Sequence, residues 1–146
     1  MRILVINGPN LNLLGLREPE IYGRESYADL CSKVNEYCRA RGVDVEFFQS
    51  NHEGALIDRI QDAYGAFDAL IVNGAGYTHT SVALRDAIAA VGLPAVEVHL
   101  TDPDAREEFR KVNFLRDVCV STFAGRGING YLDAVADLIA RFGEKP

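Results

Sequence analysis

The chain has 146 residues, of which 48% are hydrophobic, 25% charged and 9% aromatic. That is the make-up of one globular domain, residues 1–146, able to bury a core, and it excludes disorder, collagen-like repeats and a disulfide scaffold. Lys and Arg number 15 against 21 Asp and Glu, a net charge of −6. This argues against a non-specific nucleic-acid binder but leaves room for a locally basic pocket that holds a small anion.

Cys31, Cys38 and Cys119, with no C-x-x-C, read as free thiols in a reducing compartment. The apolar run in residues 1–6 is far shorter than that of a secretory signal peptide. No segment approaches the length of a membrane span. The expected location is the cytoplasm, with neither membrane nor nucleic acid as a partner.

Along the chain, short apolar runs alternate with helical periodicities. Residues 3–6 read as a strand buried on both faces. A helix is expected over 27–41, from Tyr27, Leu30, Cys31, Val34, Tyr37 and Cys38 at spacings of three and four, with Ser26 as cap, Asp29 in the first turn and Gly42 as stop. Residues 43–48 form the second strand. Leu56, Ile57, Ile60, Ala63 and Tyr64 mark the next helix, closed by Gly65. Residues 69–72 form the third strand. Val82, Leu84, Ala87, Ile88 and Val91 mark a helix closed by Gly92. Residues 95–100 form the fourth strand. Asp102-Pro103 opens a short helix through about Lys111, residues 118–121 form the fifth strand, and Tyr131, Leu132, Val135, Leu138, Ile139 and Phe142 stripe the last helix.

Such alternation predicts an α/β sandwich of three layers, with a five-stranded parallel sheet of flavodoxin-like order 2-1-3-4-5. In that fold the ligand lies beyond the carboxyl ends of the strands, at the switch between strands 1 and 3. The chemistry should therefore follow Ile6, Val72 and Val98.

After strand 1, Asn7-Gly8-Pro9-Asn10 leads into a stretch without periodicity that reaches Arg24 and holds Arg17, Glu18, Glu20 and Tyr22. It reads either as a solvated surface loop or as a lid that brings Arg17 and Tyr22 over the crevice. After strand 3 come Asn73-Gly74-Ala75-Gly76-Tyr77-Thr78-His79-Thr80-Ser81. A glycine turn with Thr80 or Ser81 as a helix cap explains the glycines and hydroxyls, but not Asn73 and His79. In strand 4, alternation puts Glu97 and His99 on one face. They are either a polar pair that satisfies itself or a site, with Glu97 orienting His99 for acid work. Arg106 and Arg110 lie on a charged segment that reads as a solvated face or as a wall of the crevice.

The ordered set of segments resembles the type II 3-dehydroquinate dehydratases. The matching stretches are Ile6-Asn7-Gly8-Pro9-Asn10-Leu11-Asn12, Arg17-Glu18-Pro19-Glu20-Ile21-Tyr22-Gly23, Gln49-Ser50-Asn51-His52-Glu53-Gly54, the run from Tyr77 to Asp86, Glu97-Val98-His99-Leu100 and Ala105-Arg106-Glu107-Glu108-Phe109-Arg110. The resemblance implies reversible loss of water from 3-dehydroquinate, by anti elimination through an enolate, without metal or cofactor. It implies Tyr22 as the base at C2, Arg17 as the cation that keeps it ionised, and His99 as the acid for the C1 hydroxyl. Asn10 would help to hold a water against the enolate oxygen. Asn73, His79, Arg110 and the backbone of Leu100 and Thr101 would bind the substrate, with Glu97 and Arg106 behind the contact residues. Asp86 would reach a neighbouring subunit's site in a homododecamer built as a tetramer of trimers. Both aromatic biosynthesis and quinate breakdown use this reaction.

The chain departs from the family pattern at Thr101-Asp102-Pro103-Asp104, where Ser-Asn is common, and at Asn113, where a serine is common. Asp102 and Asp104 are expected to place two carboxylates near the substrate's own.

The proposed chemistry is energetically reasonable. An ordinary tyrosine titrates near 10, so ionising it at pH 7 costs roughly 4 kcal/mol. A cation about 4 Å away returns on the order of 4 kcal/mol at an effective dielectric of 20. One arginine nearly offsets the cost, and a second, with Arg110 as the candidate, would add a margin. Other readings of the fold fit less well. A flavin or phosphate module would need a hydroxyl-rich loop where Gly8-Pro9-Asn10-Leu11 stands. A receiver domain would need acidic residues where Asn7 and Asn73 stand. A non-catalytic relative would not need Arg17, Tyr22 and His99 together.

Overall fold

Three apolar runs build the interior of the sheet. β1 (Arg2–Asn7), β3 (Ala69–Asn73) and β4 (Ala95–His99) are buried almost throughout, as continuous apolar strands with helices on both faces should be. β2 (Asp44–Gln49) and β5 (Ser121–Ala124) are the partly exposed edges. All pairings are parallel, and the order is β2-β1-β3-β4-β5, as the alternation predicts. The computed structural model describes residues 1–16 and 18–144.

The strands carry two cores. Ile3, Val5, Ile71, Val96 and Val98 face α2 (Tyr27–Arg39) and α5 (Asn129–Phe142). Leu4, Ile6, Leu70, Val72 and Ala95 face α3 (Glu53–Asp62) and α4 (Val82–Val91). α2 begins with a reciprocal capping box: Ser26 Oγ accepts from the Asp29 N–H, and the Asp29 carboxylate accepts from the Ser26 N–H. Ser81 caps α4 by accepting from the Leu84 N–H at 2.8 Å, and Gly92 ends it at φ 67°.

Three expectations need correction. The charged stretch after β4 is not one helix. It is two 3₁₀ turns, Pro103–Ala105 and Glu108–Lys111, separated by Arg106 in an extended conformation. The fifth strand starts at Ser121 rather than Val118. The Val118 and Cys119 amides close a 3₁₀ turn onto Leu115 and Arg116 at 3.1 Å each, so the ladder can begin only afterwards. The stretch from Gly8 to Arg24 contains a 3₁₀ turn, Leu11–Leu13, and a one-turn helix, α1 (Pro19–Tyr22).

The carboxyl ends of β1 and β3 meet tightly. Asn7 and Asn73 are register partners, and the Gly8 N–H donates to Asn73 O at 2.8 Å. A Cβ on Gly8 would lie 2.5 Å from the Gly74 carbonyl oxygen, a backbone atom that cannot swing aside. Gly8→Ala should therefore cost roughly 1–3 kcal/mol in urea unfolding. Stability equal to the parent's would show that the two loops can part without penalty.

Candidate active site

A cavity of about 330 Å³ opens beyond the strand ends, where the topology places it. That is at the small end of the range for ligand pockets, roughly 300–1,000 Å³, and suits one small ring rather than a dinucleotide. The segment after β1 brings Asn10 and Tyr22 to its wall, and β3 and the turn that follows bring Asn73 and His79. β4 and its continuation bring His99, Leu100 and Thr101, and the two 3₁₀ turns bring Arg106 and Arg110. Asp86 is exposed on α4 and does not line this cavity. Arg17 lies outside the described residues.

Backbone strain is concentrated here. Among the described residues, the non-glycine residues with positive φ are Asn10 at 70°, Glu18 at 40° and Ala75 at 50°. Two of them line the cavity, and the third precedes α1. Such conformations cost roughly 1 kcal/mol or more each. Asn10 is held in place by its own N–H, which donates to Asn51 Oδ1 at 3.0 Å.

His99 lines the cavity, and Glu97 is buried behind it. Glu97 has no solvent exposure and His99 is 6% exposed. Their Oε2 and Nε2 atoms are 2.7 Å apart. Glu97 also accepts from Asn113 Nδ2 at 2.5 Å, Thr122 Oγ1 at 2.8 Å and Arg116 Nε at 3.3 Å. Burial pushes the carboxyl towards neutrality, but the hydrogen bonds and charge of His99, with the bonds from Asn113 and Thr122, outweigh it and hold the pKa down at about 2. The pair is therefore an anion facing an imidazole inside the sheet, not a surface pair. Asn113 also accepts the Leu115 and Arg116 amides at 2.9 Å each. The departure from serine thus gives a side chain that clamps both the carboxylate and the next turn.

Tyr22 meets Arg106, an arginine expected only behind the contact residues. Arg106 Nη1 donates to Tyr22 Oη at 2.6 Å, and its guanidinium carbon lies 5.2 Å from the ring centre. Arg110 pairs with Glu107 instead. Arg106 therefore touches Tyr22 directly and lines the cavity rather than standing behind it. His79 Nδ1 lies 2.6 Å from the Val112 carbonyl, so that nitrogen carries a proton. Burial, reinforced by the nearby His99 and Arg110, keeps the His79 pKa below the ordinary value, against the pull of that carbonyl and of Glu97. The ring is neutral at pH 7, and its Nε2 is an acceptor.

Asp102 and Asp104 do not crowd the cavity. Asp102 Oδ1 accepts the Asp104 N–H at 3.0 Å, and Asp104 lies 3.9 Å from Arg116 Nη1. Neither carboxylate lines the pocket. Sequence reasoning assigned no role to Asn113, Arg116 or Thr122. One signal was available: a carboxylate inside a sheet needs donors from the neighbouring strand, and Thr122 is the β5 register partner of Glu97. Among the described residues, no group of three or more His, Cys, Asp or Glu side chains could hold a metal ion.

The depressed Glu97 pKa has a consequence for stability. Its folded value of about 2 lies below the ordinary 4.5, so the stabilisation is complete above pH 4.5 and is lost as pH falls towards 2. Urea unfolding between pH 5 and 3 should show a shallower fall in stability for Glu97→Gln than for the parent. Equal slopes would contradict the ionised assignment.

Comparison with known proteins agrees with this architecture. The family model described as Dehydroquinase class II matches residues 1–139. The chain is 53% identical over 144 residues to a 3-dehydroquinate dehydratase of Desulforudis audaxviator, an alignment covering 97% of this chain and 96% of that protein. It is 49% identical over 134 residues to a catabolic 3-dehydroquinase of Verticillium alfalfae, covering 92% and 89%. The crystal structure of type II dehydroquinase from Butyrivibrio crossotus superposes with a TM-score of 0.93 at 48% identity, covering 94% of this chain and 97% of that one. Sequence, fold and solved relatives agree that this chain belongs to the class II dehydroquinases.

Proposed function

We propose that the chain interconverts 3-dehydroquinate and 3-dehydroshikimate, with Tyr22 as base, His99 as acid and no metal or cofactor. The observation that carries the reading is the pairing of one phenol under a guanidinium and one imidazole on a buried carboxylate, both lining one small cavity.

The electron flow is simple. Tyrosinate removes the C2 proton beside the ketone, and the C–H electrons move into an enolate. The enolate collapses, the C=O bond re-forms, and the C1–O bond breaks. His99 supplies the proton with which the hydroxyl leaves as water. Solvent then returns the proton from Tyr22 to the imidazole and closes the cycle. Arg106 supports this scheme because a guanidinium that donates to Oη favours the charged oxygen. Arg17 adds a second cation in the proposal. Glu97 supports the acid by offering its negative charge to the imidazolium. Asn10 would hold a water at the enolate oxygen, where fixed donors lower the barrier.

The binding roles follow the same logic. Asn73, the amides after His99 at Leu100 and Thr101, and Arg110 would take the carboxylate and hydroxyls. Neutral His79 would accept from a substrate hydroxyl through Nε2. Asp86, exposed on α4, would complete a neighbour's site in a dodecamer. Relatives are described both as 3-dehydroquinate dehydratase and as catabolic 3-dehydroquinase, and one reaction serves both routes.

Mixing the purified protein with 3-dehydroquinate should generate the ultraviolet absorbance of a conjugated enone. Tyr22→Phe and His99→Ala should each lower kcat by at least ~100-fold in a folded protein. Turnover near the parental rate in either variant would remove that residue from its role.

A further inference from the structure

We infer that Tyr131 is a positioning residue for substrate binding: through a one-way chain of buried hydrogen bonds it aims an N–H of Asn73 into the cavity. The inference rests on the proposed role of Asn73 as a substrate ligand.

The chain of bonds starts from a backbone group. The Ala75 N–H lies 3.1 Å from one terminal atom of the Asn73 amide. A backbone N–H can only donate, so that atom is Oδ1, and the other is Nδ2. Nδ2 faces Tyr131 Oη at 3.0 Å, so the phenol oxygen accepts there. The phenol hydrogen must then go elsewhere, and Asn7 Oδ1 is 2.6 Å away. With its oxygen used, Asn7 turns Nδ2 to Tyr27 Oη at 3.3 Å. One backbone amide thus sets the polarity of four side chains in series. Ala75 is one of the positive-φ residues, so a strained backbone presents the group that starts the series.

The series lies under the cavity. Asn7 and Tyr131 have no solvent exposure and Asn73 has 3%. Water cannot substitute for a missing partner without entering the core, and a flipped amide would set donor against donor at Ala75. Burial also drives the Tyr131 phenol well above the ordinary tyrosine range, so it remains a protonated donor at any working pH. An amide nitrogen has two hydrogens. One is committed to Tyr131, and the other remains for the cavity that Asn73 lines. Asn73 therefore presents a donor only, and the substrate group facing it must be an acceptor such as a carboxylate oxygen. Tyr131, on α5, touches no substrate, yet by accepting one Nδ2 hydrogen it holds the other towards the cavity.

The experiment is a double-mutant cycle read as kcat and KM separately. Tyr131→Phe removes the acceptor for Nδ2 with little change in volume. It should raise KM about tenfold, the loss of one aligned hydrogen bond, with kcat within about threefold of the parent. Asn73→Ala should raise KM by at least as much. The double variant should be no worse than Asn73→Ala alone, because Tyr131 acts only through Asn73. A purely structural role would lower the unfolding midpoint and leave KM unchanged, or its effect would multiply with that of Asn73→Ala. Either result overturns the inference. Parental KM in Asn73→Ala would instead remove Asn73 as a ligand, and with it the reading on which the inference rests. If Tyr131→Phe does not fold, Asn7→Ser decides. It keeps the phenol but withdraws the acceptor that fixes the phenol hydrogen, so KM should rise; an unchanged KM overturns the inference.

Discussion

A carboxylate without solvent exposure, 2.7 Å from an imidazole on the same strand, is the constraint around which this site is organised. Removing an ion from water costs several kcal/mol unless partners replace the solvent. Glu97 has partners from three directions: His99 on β4, Thr122 on β5, and Asn113 with Arg116 from the turn between them. That requirement also explains local structure. The 3₁₀ turn before β5 is clamped by Asn113, and β5 is in the register that puts Thr122 beside Glu97. Burial, reinforced by the nearby ionised carboxylate, pushes the Cys119 thiol up to about 12, so it stays protonated at neutral pH.

The two halves of the site are built differently. His99, Asn73 and the series of hydrogen bonds beneath them sit on strand ends that belong to the two cores. They are placed by the sheet itself. Tyr22 comes from a one-turn helix in the segment after β1, and Arg106, which donates to it, stands between two 3₁₀ turns. In the proposed mechanism, a base carried on segments of this kind can approach after substrate enters, whereas the acid is preorganised. The strain at Asn10, Glu18 and Ala75 falls along the same boundary, where the Asn10 and Ala75 amides donate to the side chains of Asn51 and Asn73 rather than into a helix or ladder.

Much of this was legible in the sequence. Apolar runs and stop glycines located β1, β3, β4 and the four long helices. The rule for open α/β sheets then pointed to Asn10, Asn73 and His99. Alternation alone put Glu97 and His99 on one face. The failures share a cause: they concern segments whose conformation is set by polar contacts rather than by periodicity. Val118-Cys119-Val120 looks like a strand because it is apolar, but amides that close onto Leu115 and Arg116 delay the ladder. That misplacement concealed Thr122 as the partner of Glu97. Arg106 and Arg110 look interchangeable on an expected helix. An extended residue between two turns separates their roles and sends Arg106 to Tyr22. Tyr131 reads as one more apolar position in the α5 stripe, and nothing in that period marks its hydroxyl as the acceptor for Asn73.

The central claim is that base and acid act from opposite faces of the ring, with an enolate between the two steps. The most direct test uses 3-dehydroquinate carrying deuterium at C2 on the face opposite the C1 hydroxyl, with the product examined by mass spectrometry. The account predicts that the label is lost and the 3-dehydroshikimate is unlabelled. Product that retains the deuterium would mean that the proton and the hydroxyl leave from the same face, and would contradict the division of labour between Tyr22 and His99.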